Sequence, residues 1–110
     1  MDNKAVHKLS LVMTAFRTQS PTMTVQLAHT FLLVASNEGK SISEIATLSG
    51  FRFPTVSRNI LDLGVRNRKR EPGLGLVETV IDQMELRRKN VQLTAKGRAL
   101  VNQLFDILKA

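Results

Sequence analysis

The chain has 110 residues, 43% of them hydrophobic, which suits a single domain over residues 1 to 110 with a modest core. It contains no cysteine, which excludes a disulfide framework and a thiolate metal site; five Phe with no Trp or Tyr argue against the stacking platforms that hold single strands and RNA. The formal charge of +7 is uneven: residues 52 to 98 carry eleven basic and five acidic side chains, residues 1 to 51 only four and three, so a field suited to phosphates is confined to the second half.

In chain order, apolar residues first recur at Val6, Leu9, Val12, Met13 and Phe16, a helical stripe that ends near Arg17, before the polar break at Ser20-Pro21. A second helix is expected from Thr22 or Thr24 to a stop at Asn37-Glu38-Gly39. Its later part, Phe31-Leu-Leu-Val-Ala35, is apolar on nearly every side and predicts a central buried helix. This is also the longest apolar run in the chain, at five residues, far short of a membrane span. The N-terminus lacks the continuous apolar centre of a signal peptide, so a soluble cytoplasmic protein is expected.

Residues 41 to 63 carry the most informative pattern. Ser41 followed by Glu44 predicts a capping box, with Ile45, Ala46 and Leu48 supplying the apolar side of a third helix. Gly50 suits the end of that helix, and Pro54 suits the first turn of the next, where its missing N–H costs nothing. In this fourth helix Val56, Ile60 and Leu63 repeat at core spacing, which leaves Thr55, Ser57, Arg58, Asn59 and Asp62 toward solvent. Two short helices joined by a glycine turn, the second with hydrogen-bonding side chains on its outer face, predict a helix-turn-helix that offers its second helix to DNA.

Beyond Leu63 the sequence turns basic and glycine-containing through residue 75. Two β-branched or alternating segments, residues 76 to 81 and 90 to 93, then predict antiparallel strands joined by a polar tip that ends in Arg87-Arg88-Lys89. Thr94 is positioned to cap a closing helix containing Leu100, Val101, Leu104, Phe105 and Leu108. The expected fold is therefore mainly α with a small β-hairpin wing: a winged helix-turn-helix.

With the wing in place, the sequence resembles the MarR family of winged-helix regulators over roughly residues 22 to 108. The resemblance is carried by Met23-Thr24, Ser41-x-x-Glu44-Ile45-Ala46, Pro54-Thr55-Val56-Ser57-Arg58 and above all Val91-Gln92-Leu93-Thr94-Ala95-Lys96-Gly97-Arg98. It implies a homodimer on double-stranded DNA, with N- and C-terminal helices at the dimer interface, the recognition helix in the major groove and the wing along the minor groove. Two departures stand out: the chain stops about one helix after the wing, and the stretch from Val65 to Gly75 is longer than the usual link. Small-molecule effector binding, common in the family, is not carried over.

Among individual residues, Arg58 is the candidate for a base edge, against a phosphate contact or an ion pair with Asp62; Ser57 shares its outer face. Arg52 and Thr55 suit phosphate positioning, and Asn59 either reads adenine or has no role. Arg87, Arg88 and Lys89 form a cation cluster fit for a narrow minor groove, or a solvated loop. Arg66, Arg68, Lys69 and Arg70 either track phosphates or lack order without DNA, and Phe51 and Phe53 suit core or cap packing. His7 and His29 have no third ligand at matching spacing, and neither a phosphate-cradling loop nor a catalytic constellation is present, so the sequence reads as a binder without metal or cofactor and not as an enzyme. A sequence-specific regulator, most simply a repressor, is the leading expectation; an architectural or replication-associated DNA binder and a winged-helix protein-interaction module are the rivals.

Overall fold

The computed structural model describes residues 2 to 66, 69 and 71 to 110. The elements are α1 (Asn3–Gln19), α2 (Val25–Ser36), α3 (Ile42–Ser49), α4 (Phe53–Leu63), β1 (Val77–Ile81), β2 (Lys89–Leu93) and α5 (Ala95–Lys109). This is the expected winged helix-turn-helix. Helix α1 starts three residues earlier than the apolar stripe implied, because the Asp2 carboxylate accepts from the amides of Lys4 and Ala5 at 2.9 and 3.2 Å. Thr24 does the same for α2, accepting from Leu27 N–H at 3.0 Å.

Helix α2 departs from expectation. Only Thr30, Phe31 and Val34 are buried, whereas Val25 and Leu32 are exposed, so the helix packs on one side only. Phe31 meets Phe16 of α1 edge to face, with ring centroids 6.1 Å apart, and together they centre the core. The opposite side of α2 joins α1 and α5 around an open apolar cleft lined by Leu9, Met13, Leu32, Phe105 and Leu108. The helix is apolar all round because it serves two surfaces.

The helix-turn-helix forms as its capping residues dictate. Ser41 Oγ accepts from Glu44 N–H, Glu44 Oε1 accepts from Ser41 N–H, each at 3.1 Å, and Gly50 takes the left-handed conformation at φ 74°. Leu48 does not join the apolar side; it is exposed, and Ile45 and Ala46 alone are buried. In α4, Val56, Ile60 and Leu63 all face the core, and the helix stops at Leu63.

The basic link beyond α4 is fastened at its base. The final carbonyls of a helix lack internal partners. Here those of Asp62, Leu63 and Gly64 accept from the amides of Leu74, Leu76 and Gly75 at 3.1, 2.8 and 2.9 Å, and Gly73 N–H reaches Val65 O at 2.9 Å. The chain thus leaves α4, makes its excursion and returns to the same helix end before entering the wing.

Strands β1 and β2 pair in the register Val77↔Leu93 to Ile81↔Lys89. Strand β2 also bonds to the segment before α3: Gly39 N–H donates to Val91 O and Val91 N–H to Lys40 O, both at 2.9 Å. The wing is therefore joined through its backbone to the helix-turn-helix. Thr94 closes the hairpin, its hydroxyl donating to Gly75 O at 2.6 Å while accepting from Gly97 N–H at 3.1 Å to start α5.

Candidate nucleic-acid interface

Helix α4 presents Arg52 at its N-cap and Arg58 one and a half turns on, both exposed, with Thr55 and Ser57 half-buried between them. Among the described residues neither arginine makes an ion pair, so the Arg58 guanidinium remains at the surface rather than being spent on a neighbour on its own helix. Asn59 behaves differently from expectation. It is half-buried, and its amide Nδ2 donates to Thr30 Oγ1 of α2 at 3.1 Å, which turns it inward and engages the group that would read adenine. A residue at this position faces the seam between α4 and α2 and not the outer surface.

The three cations of the wing are also divided by the fold. Arg88 is turned back toward the helices: its guanidinium pairs with Glu44 of the α3 capping box, lies 3.6 Å from Asp82 and donates to Asn90 Oδ1 at 3.3 Å. Arg87 and Lys89 are exposed and make no ion pair among the described residues. The cluster therefore separates into one ion-paired arginine and two outward cations. Phe53, expected to pack, is half-exposed and lines a cleft of about 390 Å³ between the start of α3 and the wing, shared with Ser43, Arg87 and Lys89. Phe51 does pack, edge to face with His29 at 5.8 Å.

Of the basic link, Arg66 and Lys69 are exposed, Arg66 facing Pro72 across an isolated bridge. Arg68 and Arg70 lie outside the described residues. No group of three His, Cys, Asp or Glu side chains able to hold a metal occurs among the described residues, and none of their helices is long and apolar enough to cross a membrane.

Two contacts that hold the site together have no signal in local periodicity. Glu44 and Arg88 are 44 residues apart in sequence, and Glu38 and Arg98 are 60 apart. The second pair is bidentate, both N–H···O distances being 2.9 Å, and Glu38 also accepts from Leu93 N–H at 3.3 Å, so the turn before α3 is clamped to β2 and α5.

The capping hydrogen bond from Ser41 N–H, aided by Arg88 and Lys40, holds the Glu44 carboxyl below its ordinary value of 4.5. The Met84 N–H, then the Asn90 amide and Arg88, lower Asp82 below 3.8. Lowered native values mean that the folded wing favours the charged carboxylates. Their contribution is complete above the ordinary values and is lost as pH falls through the lowered native ones. Acidification below about pH 4 is expected to loosen the wing tip from α3 before the core unfolds. Hydrogen exchange at Met84 and Arg88 against pH checks this, and Glu44→Gln should flatten the dependence; identical pH profiles for the two proteins would contradict it.

No protein-family model and no curated relative matches the sequence. In three dimensions the chain is similar to S. aureus MepR in a DNA complex, 26% identical, covering 99% of this chain and 76% of that one with a TM-score of 0.65. It is also similar to Streptococcus pneumoniae FabT in complex with DNA, at 18% identity over 96% of this chain and 70% of that one, TM-score 0.68. The structure of MarR aligns at 17% identity over 99% and 77%, TM-score 0.62. The chain therefore has the MarR-type winged-helix fold.

Proposed function

We propose that the chain is a sequence-specific regulator of transcription, acting in the cytoplasm as a homodimeric single-domain repressor on double-stranded DNA. The observation that carries this reading is the exposed, unpaired Arg58 on the outer face of α4, beside a wing with two outward cations. Helix α4 enters the major groove and Arg58 reads a base edge, Arg52 and Thr55 position phosphates, and Arg87 and Lys89 follow the minor groove. The apolar cleft between α1, α2 and α5 receives the second copy, which places two recognition helices on an inverted repeat.

Selection of bound fragments from a random duplex library tests this directly. Arg58→Ala is expected to cost about 1–3 kcal/mol on the recovered inverted repeat while leaving affinity for random duplex nearly unchanged. Equal losses on both would remove the base-reading role. A second reading, a DNA binder with little sequence preference, is favoured by Arg66 and Lys69 on a link fastened to α4. It predicts retained binding with a steep salt slope and no recovered motif.

A further inference from the structure

We propose that the wing tip is an apolar wedge: Met84 and Leu86 insert between base steps of the minor groove and kink the duplex. This rests on the duplex-DNA reading above and adds to it a mode of contact that the cations alone do not supply. Met84 is 95% exposed, the highest value for a large hydrophobic side chain among the described residues, and Leu86, two positions on, is 77% exposed. Water around such side chains is a standing cost that the fold does nothing to relieve, since the tip stands at the far end of the hairpin from the core.

The tip is nevertheless a built turn. Asp82 Oδ1 accepts from Met84 N–H at 2.8 Å, Arg88 N–H donates to Glu85 O at 2.9 Å, and Asp82 N–H donates to Arg88 O at 2.9 Å. Arg88, inside that same turn, is the residue strapped to Glu44 of α3. The fold thus holds Met84 and Leu86 outward on a turn whose root is fastened to the helix-turn-helix. Unstacking a base step costs a few kcal/mol, and a wedge with firm backing meets that cost without first having to be ordered itself. Leu and Met are among the side chains that architectural proteins insert in this way.

Charge selects the occupant. Arg87 and Lys89 follow the apolar pair in sequence, are exposed and make no ion pair among the described residues; with Arg88 set against Asp82 and Glu44, they outnumber Glu85, the further acid of the turn, which lies between Met84 and Leu86. Adjacent cations suit the negative potential of a narrow minor groove better than an apolar pocket on a protein. Arg87 and Lys89 engage the flanking phosphates or groove floor while the apolar pair enters the step.

The test uses the full chain on the duplex recovered by selection, or on a random short duplex if no motif emerges, with energy transfer between the duplex ends and 2-aminopurine placed at the step under the wing. The wild-type protein should bend the duplex and raise the 2-aminopurine signal. It should also prefer a flexible TA step to an A-tract at that position. Met84→Ser with Leu86→Ser should keep the selected motif and the melting temperature, lose the bend and the step preference, and weaken binding by about tenfold. Met84→Leu should retain all three. Wild-type binding with no bend and no 2-aminopurine change overturns the wedge and leaves the proposed function standing, as does bending by the double serine variant equal to wild type. Failure of the wild-type protein to bind any duplex overturns both.

Discussion

Charging the cleft between the terminal helices, with Leu9→Glu and Leu108→Glu together, is expected to convert the protein to a monomer and to weaken binding to an inverted repeat by about 100-fold to 10,000-fold. That range is what joining two modules adds over one when a single site is lost from the pair. The substitutions fall on side chains that are 57% and 51% exposed in the single chain, so they leave the protomer core intact and act only on what covers the cleft. Large apolar side chains around one open cleft are rarely left to water in a monomer. Light scattering and half-site binding measured side by side check the result: a monomer that still binds one half-site through Arg58 is the expected species. A mass unchanged from wild type, whether monomer or dimer, would remove this cleft as the site of self-association.

Gly97→Ala is expected to destabilise the fold by about 3 kcal/mol, at the upper end of overpacking substitutions. Gly97 is buried in the first turn of α5, where a Cβ would fall well inside van der Waals distance of the Leu76 carbonyl oxygen and press on the Leu93 side chain. Neither neighbour yields easily. Leu76 is fully buried, its carbonyl accepts from Thr94 N–H at 3.1 Å and its amide is bonded to Leu63 O at 2.8 Å, so a shift there disturbs the link, the wing and α5 together. Helix propensity pulls the other way, since alanine is favoured over glycine by about 1 kcal/mol in a helix, but it is the smaller effect. Denaturant midpoints decide the sign; a stability equal to or above wild type would show that the junction relaxes freely.

The same junction explains how much of the molecule was legible beforehand. Leu93-Thr94-x-Lys96-Gly97 is readable as a pattern, and the structure gives each member a reason: Leu93 is buried in the core, Thr94 bonds Gly75 and Gly97, Lys96 Nζ donates to Leu74 O at 2.8 Å, and Gly97 allows the close approach. Caps and periodicities are local, so Ser41, Glu44, Gly50 and Pro54 announced the helix-turn-helix correctly. Local pattern does not carry what is decided by a distant partner: the inward turn of Asn59 depends on Thr30, 29 residues away, and the pairing of Arg88 depends on Glu44. Apolarity marks a preference for removal from water without recording what covers the surface, so the apolar run of α2 does not distinguish its core side from its exposed side. The same holds for Leu48 and Phe53.

The closed ladder at the end of α4 has a bearing on how this protein can change over generations. Asp62, Leu63 and Gly64 receive the returning chain at fixed points, so the two ends of the link are held at one place on the end of α4. Lengthening such a loop costs only about 0.6 kcal/mol per doubling. Changes of length between those points are therefore cheap for the fold, and under the proposed function they alter how far basic side chains extend toward phosphate. On that reading, evolution of the grip on nucleic acid is separable from evolution of the recognition helix.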